Sequence, residues 1–211
     1  MIRILIADDH TILREGLKRI LSSSKDIVVA GEAANSKEVL SQLSKSNFDV
    51  VLLDISMPGR SGLEIIREIR DYNKKCSVLV LSSYPEDQYA LRVIKAGAAG
   101  YLTKESAAEK LIDAIKKVSG GGKYITPFVA EMLAFEVVDG NLHKAPHEKL
   151  SDREYQVMCM IASGKSVSHI ALELSLSVKT ISAYRARMLT KMKMKNNAEL
   201  THYAIREGLV G

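Results

Sequence analysis

The chain has 211 residues, a length that suits one or two domains. Hydrophobic residues make up 46% and charged residues 26%, a balance that excludes a disordered or fibrous protein. No apolar stretch reaches the roughly 18 residues that cross a bilayer, and the amino terminus enters an apolar run ending in two acids rather than a secretory leader, so a cytoplasmic protein with no membrane partner is expected.

Short, continuous apolar runs bounded by polar residues mark strands buried on both faces. Residues 2–7, 27–32, 50–53, 78–81 and 99–102 have this character. Between and after them lie amphipathic stretches. The first carries Ile12, Leu13, Leu17, Ile20 and Leu21, and the second starts at a Ser36 cap and carries Val39, Leu40 and Leu43. The third is Gly62–Tyr72, the fourth runs from about 86 to 97, and the fifth from about 106 to 119. Five successive β-α units predict a doubly wound (βα)5 α/β domain over residues 1–122. Residues 123–147 read as a linker, with Pro127, Pro146, an Asp139-Gly140-Asn141 turn signal and a short helix at Phe128–Glu136. Only helices follow, at Asp152–Ser163, Val167–Leu174, Val178–Met192 and Ala198–Glu207, which makes residues 148–211 an all-α four-helix domain. Cys76 and Cys159 fall in different halves and read as buried small hydrophobes rather than a disulfide.

In an open parallel sheet the ligand crevice lies at the carboxyl ends of the strands. Asp8 and Asp9 end the first strand, Asp54 the third, Ser82 the fourth and Lys104 the fifth. Three carboxylates, a hydroxyl and an ammonium therefore meet at one edge. Carboxylates this close repel unless a cation neutralises them, and Mg²⁺ (or Mn²⁺) takes one or two such oxygens while keeping several waters. Asp54 then serves as a nucleophile that forms an acyl phosphate. Lys104 supplies a point charge to one phosphoryl oxygen and Ser82 a hydroxyl to another.

These residues carry a resemblance. Ile6-Ala7-Asp8-Asp9-His10, Asp54-Ile55-Ser56-Met57-Pro58-Gly59, Ser82-Ser83 and Tyr101-Leu102-Thr103-Lys104 are similar to the motifs of the receiver domain of two-component response regulators, across the whole first domain. The resemblance implies that Asp54 accepts a phosphoryl group from a sensor histidine kinase and that Asp8, Asp9 and the backbone carbonyl of Ser56 help hold the metal. It implies further that Tyr101 is an aromatic switch, and that Ser82 and Lys104 couple the phosphoryl group to a face of the domain. Haloacid-dehalogenase-like phosphatases also use an aspartyl nucleophile, but with a second Asp two residues on, where this chain has Ser56, which does no general acid work near neutral pH. A dinucleotide oxidoreductase is excluded because no G-x-G-x-x-G follows the first strand.

The second half carries the basic charge. Residues 148–211 hold 10 Lys and Arg against 6 Asp and Glu, and Leu174–Ala198 holds six basic residues and no acid. Such a stripe is an electrostatic footprint for nucleic acid. Two helices here are joined by Ser175-Leu176-Ser177, with Ser177 as N-cap of the second. Helical spacing puts Ile181, Met188 and Met192 on one side and Lys179, Ser182, Ala183 and Ala186 on another, flanked by Arg185 and Arg187. Small residues let a helix approach base edges, while Lys and Arg bind phosphates. Leu150-Ser151-Asp152-Arg153-Glu154, Ile170-Ala171-Leu172-Glu173-Leu174, Ser177-Val178-Lys179-Thr180-Ile181 and Ala198-Glu199-Leu200 resemble the LuxR-type helix-turn-helix of NarL/FixJ response regulators. That resemblance adds Thr180 and Tyr184 to the surface facing double-stranded DNA, Tyr184 standing where the family commonly has His. It implies a structural role for Glu154 within the bundle, and a dimer contact on the last helix, at Leu200, Tyr203 and Ala204, in a phosphorylated homodimer. His169 reads as a surface residue or a phosphate contact. Two other readings remain: a DNA-binding protein whose acidic pocket works without phosphorylation, and a phosphorelay carrier whose helical half binds protein.

Overall fold

The computed structural model describes residues 1–57, 60–139 and 145–210, with side chains in the middle span described as far as residue 135. Gly140 and Asn141 of the expected turn, and Pro58 and Gly59 of the Asp54 motif, lie outside the described residues. The chain divides into two compact units, Met1–Glu131 and Met132–Gly211.

In the first unit, β1 (Ile2–Ala7), α1 (Thr11–Leu21), β2 (Ile27–Ala33), α2 (Ser36–Lys45), β3 (Val50–Leu53), α3 (Gly62–Tyr72), β4 (Ser77–Ser82), α4 (Glu86–Ala96), β5 (Gly100–Thr103) and α5 (Ala107–Ser119) alternate as expected. The sheet has the order β2-β1-β3-β4-β5 and every pair is parallel. Every residue of β3 is buried, because helices cover both faces of a sheet joined by crossovers. Ile4, Ile6, Val50, Leu52, Leu79, Leu81 and Leu102 pack with Leu111, Ala114, Ile115 and Val118 of α5 in one core. Each fully buried aliphatic side chain contributes about 1.5–3 kcal/mol of transfer free energy. The register sets the strand ends level: the Asp54 N–H donates to the Ala7 carbonyl (2.8 Å) and the Lys104 N–H to the Ser82 carbonyl (2.8 Å).

Two local readings are corrected. The cap of α2 is Asn35, whose side chain accepts from the Glu38 N–H, while Ser36 is the first helical residue and its buried hydroxyl accepts from the Arg60 N–H (3.2 Å). Asx and Ser compete for an N-cap on nearly equal terms, and Ser36 is claimed by its tertiary partner instead. The helix read at Phe128–Glu136 is longer, α6 (Pro127–Asp139), and the division between the two units falls within it. Before it, Lys123–Thr126 lies along β5. Tyr124 pairs with Gly100 in a parallel bridge and donates its N–H to the Ala99 carbonyl (2.8 Å), and Lys123 Nζ donates to the Ala98 carbonyl (2.8 Å). A Cβ on Gly100 would stand 2.7 Å from the Tyr124 carbonyl oxygen, so only glycine admits this approach. Thr126 donates its hydroxyl to Glu86 at the start of α4 (2.7 Å).

In the second unit a 3₁₀ turn (Pro146–Lys149) precedes α7 (Asp152–Ala162), α8 (Val167–Glu173), α9 (Val178–Met192) and α10 (Asn197–Arg206). Ser151, Ser166, Ser177 and Asn196 each cap a helix by accepting a backbone N–H. At α7 the cap is reciprocal: Glu154 also accepts from the Ser151 N–H, and the same carboxylate takes Lys191 Nζ of α9 at 2.6 Å. Glu154 thus ties two helices together, the structural role expected of it. α9 and α10 both pack on α7. Cys76 and Cys159 are buried thiols, as expected. Burial pushes the Cys76 thiol up to about 12, so it stays protonated and inert.

Candidate functional site

The acidic edge of the first unit is held from several directions. β1 delivers Asp8, which is 2% exposed, and β3 delivers Asp54, also 2% exposed. Lys104, just past β5, places Nζ 2.7 Å from Asp8 Oδ2 and 2.7 Å from Asp54 Oδ2. The other Asp54 oxygen accepts the Ser56 N–H at 2.8 Å, which fixes the carboxylate plane. Arg14 of α1, held by Glu32 of β2, donates to the Asp8 carbonyl at 2.7 Å. Gly62 lets α3 start against the same loop, since a Cβ there would lie 2.5 Å from Ile55 Cα. Asp9 and His10 complete the cluster: with Asp8 and Asp54 they offer ligand atoms that all lie within 4.8 Å of one another.

The electrostatics leave this pocket short of positive charge. Burial raises Asp54 above the ordinary carboxylate range, and Lys104 offsets only part of that. Burial lowers Lys104, but Asp54 and Asp8 outweigh it and hold the ammonium above its ordinary value. One lysine is shared by two buried carboxylates, and Asp9 Oδ1 is a buried oxygen with no hydrogen bond among the described residues. A donor set of carboxylate oxygens with an unmatched negative charge fits a hard divalent cation.

Ser82 is fully buried at the end of β4, and its Oγ accepts the Tyr84 N–H at 3.1 Å. Tyr101 is buried too and donates its hydroxyl to the Tyr84 carbonyl at 2.7 Å. Burial raises its phenol, so it remains a donor at all ordinary pH values. The loop after β4 is therefore bonded to both residues read as switch elements. Sequence reasoning assigned nothing to His10, Arg14 or Thr126. His10, the residue directly after the twin acids, carried a legible signal. Arg14 and Thr126 did not, because Arg14 is held in place by Glu32 of β2 and Thr126 meets Glu86 40 residues away.

On α9, Lys179, Ser182, Ala183, Ala186 and Arg187 are exposed, Thr180, Tyr184 and Arg185 are half-buried, and Ile181, Met188 and Met192 are buried. The guanidinium of Arg187 lies over the Tyr184 ring at 4.8 Å, and Arg185 donates to Asn197 at 2.6 Å. Lys191 belongs to the basic stretch in the sequence, but its ammonium is engaged by Glu154. Leu200, Tyr203 and Ala204, expected at a dimer contact, are buried on α10, and the Tyr203 hydroxyl meets His147 Nδ1 at 2.8 Å. These three side chains belong to the bundle, because α10 packs on α7. His169 is at the surface, 3.6 Å from Glu173.

The family model of the response regulator receiver domain matches residues 4–116, and that of the bacterial regulatory proteins of the luxR family matches residues 148–204. The chain belongs to the response regulators. Response regulator UvrY of Escherichia coli K12 is 39% identical over 209 residues, covering 99% of this chain and 96% of UvrY. Response regulator GacA of Pseudomonas aeruginosa PAO1 is 37% identical over 210 residues, covering 100% and 98%. Among solved structures, RcsB of Salmonella enterica serovar Typhimurium bound to promoter rprA in the presence of phosphomimetic BeF₃⁻ has a TM-score of 0.64 at 25% identity, covering 96% of this chain and 97% of RcsB. A structure of two RcsB dimers bound to two parallel DNAs has a TM-score of 0.59 at 27% identity, covering 96% of each chain. This response regulator therefore has the NarL/FixJ arrangement expected from its motifs, a receiver domain followed by a LuxR-type helix-turn-helix domain. No described helix is long and apolar enough to cross a membrane.

Proposed function

We propose that this response regulator is a cytoplasmic transcription factor in which a phosphoryl group on Asp54 controls dimerisation and sequence-specific DNA binding. The observation that carries the reading is Lys104 Nζ at 2.7 Å from both Asp8 and Asp54, at the carboxyl edge of a parallel sheet. A sensor histidine kinase is the donor. An Asp54 oxygen attacks the phosphorus of its phosphohistidine, the O–P bond forms as the N–P bond breaks, and the imidazole leaves. Water later cleaves the acyl phosphate to inorganic phosphate and free Asp54, so the protein catalyses only its own phosphorylation and dephosphorylation. Asp8, Asp9, Asp54 and the Ser56 carbonyl would hold Mg²⁺ or Mn²⁺, and the ion would supply neutralisation of charge on the phosphoryl oxygens. Lys104 and Ser82 donate to phosphoryl oxygens, and reorientation of Ser82, whose Oγ accepts the Tyr84 N–H, carries the loop that Tyr101 holds.

The functional domains are 1–122 and 148–211, and the joining segment 123–147 begins by extending the receiver sheet, with Lys123–Thr126 along β5. Ser182, Ala183 and Ala186 enter the major groove with Thr180 and Tyr184, while Lys179, Arg185 and Arg187 bind phosphates. A two-fold homodimer reads paired half-sites about one DNA turn apart. Its contact on α10 falls on the exposed side, which carries Ile205, because Leu200, Tyr203 and Ala204 are buried.

Capture of genomic DNA fragments by the protein loaded with Mg²⁺ and beryllofluoride, beside Asp54→Ala treated identically, tests this. Enrichment of specific fragments only by the loaded wild type is expected. Equal enrichment by both proteins would sink the phosphoryl control and favour DNA binding that Asp54 does not gate.

A further inference from the structure

We propose that His10 is a ligand of the divalent cation, through Nδ1, and that it shifts the pocket's preference toward ions that accept imidazole nitrogen, such as Mn²⁺, over Mg²⁺. The inference rests on reading the acidic edge as a metal site and adds a donor of a different class to it. His10 Nδ1 stands 3.2 Å from Asp8 Oδ1 and 3.1 Å from Asp9 Oδ1. Ions bound at about 2.1 Å in octahedral geometry set neighbouring ligand atoms about 3.0 Å apart, so three donors on adjacent corners would stand at about these distances. The approach to Asp9 is the telling one. Asp9 Oδ1 is a buried atom with no hydrogen bond although an imidazole nitrogen lies 3.1 Å away. Nδ1 donates its hydrogen bond to Asp8 Oδ1 at 3.2 Å, so a shared cation would take the place of that proton and reach Asp9 Oδ1 as well.

The backbone explains why the ring stays there. The His10 N–H donates to Asp8 Oδ1 at 2.8 Å, and His10 is the N-cap of α1 in an extended conformation without capping the helix through its side chain. The ring is thereby turned back over the acids instead of toward the helix end. It is 68% exposed, so it can adjust around an ion without repacking the core. Transition ions accept an imidazole nitrogen more readily than Mg²⁺ does, Mn²⁺ the least of them, while Mg²⁺ keeps an all-oxygen shell. The competing account keeps the Nδ1–H bond to Asp8 Oδ1 when the metal binds, which leaves the ion surrounded by oxygen alone.

Mn²⁺ is the probe, followed by pulsed EPR on the full chain. Wild type is expected to show nitrogen modulation of the bound Mn²⁺ signal. That modulation changes to the ¹⁵N pattern in protein grown with ¹⁵N-histidine and is lost in His10→Ala, whose exposed site leaves the fold intact. Titration in competition with Mg²⁺ then shows the Mn²⁺ preference narrowing in His10→Ala. Mn²⁺ bound in an Asp54-dependent way but without nitrogen modulation overturns the role of His10 and leaves the metal site standing. Absence of Mn²⁺ binding to wild type overturns both.

Discussion

The two halves of this response regulator handle charge in opposite ways. At the receiver edge, Asp8 and Asp54 are buried around one ammonium, and each group's state depends on the others. On α9, Lys179 and Arg187 are exposed, while Lys191 is committed to Glu154. Buried charges interact strongly and a single change at one is felt by all. Exposed charges act nearly independently and are screened by salt. The receiver is thus built to respond to one covalent event, and the helical unit to sum several weak contacts along a phosphate backbone.

The largest effect should come from Lys104→Met in metal-free protein. It strands two buried carboxylates without a countercharge and should lower receiver stability by about 3–5 kcal/mol in urea unfolding, with Mg²⁺ recovering part of the loss. A loss under about 1 kcal/mol would mean that the edge is hydrated and that the contrast with α9 is one of degree.

Next comes the sign of the pH dependence. The folded pKa of Asp54 is raised above its ordinary 3.8, so its folded form holds the proton longer and its contribution to stability falls as pH rises through that raised value. Metal-free Asp54→Asn should therefore gain on wild type as pH climbs from 3.8. For Glu154, burial works against ionisation, but Lys191 and the capping bonds outweigh it and the folded pKa drops below its ordinary 4.5. Its contribution is complete above pH 4.5 and disappears as pH falls through the lowered value, so Glu154→Gln should approach wild type in acid. Each slope is at most about 1.4 kcal/mol per pH unit. Equal signs in the two variants would break the comparison.

A smaller change is expected for Ser151→Ala, which removes the cap of α7 and should cost about 1 kcal/mol in thermal unfolding of the helical unit, leaving phosphoryl incorporation unchanged. The smallest is Lys179→Ala. It should reduce the slope of log affinity for DNA against log salt by about 1 without changing which fragment is preferred. An altered preference would move Lys179 from phosphate to base contact.

Most of the fold was legible because it rests on local pattern. Val50-Val51-Leu52-Leu53 is a buried strand wherever it is placed, and once the strands are parallel their carboxyl ends bring Asp8, Asp54 and Lys104 together by topology alone. Misreadings arose where a tertiary partner decided. Ser36 looked like a cap, but its hydroxyl belongs to Arg60. Lys191 looked like part of a DNA-facing stripe, and its carboxylate partner lies 37 residues away. For Leu200, Tyr203 and Ala204 the spacing fits both the helix's own bundle, where they are buried, and a partner contact, and spacing alone does not separate the two.

The bridge between Tyr124 and Gly100 bears on where this chain can be divided. β5 is the last strand of the sheet, and Tyr124 supplies a further backbone partner along that margin. A receiver fragment ending at Gly122 would lose that partner, along with the bonds from Lys123 and Thr126. It would present an open strand edge with free carbonyl groups at Ala98 and Ala99, the kind of template on which chains stack edge to edge. Fragments that retain residues through Thr126 should stay dispersed at concentrations where the shorter one precipitates.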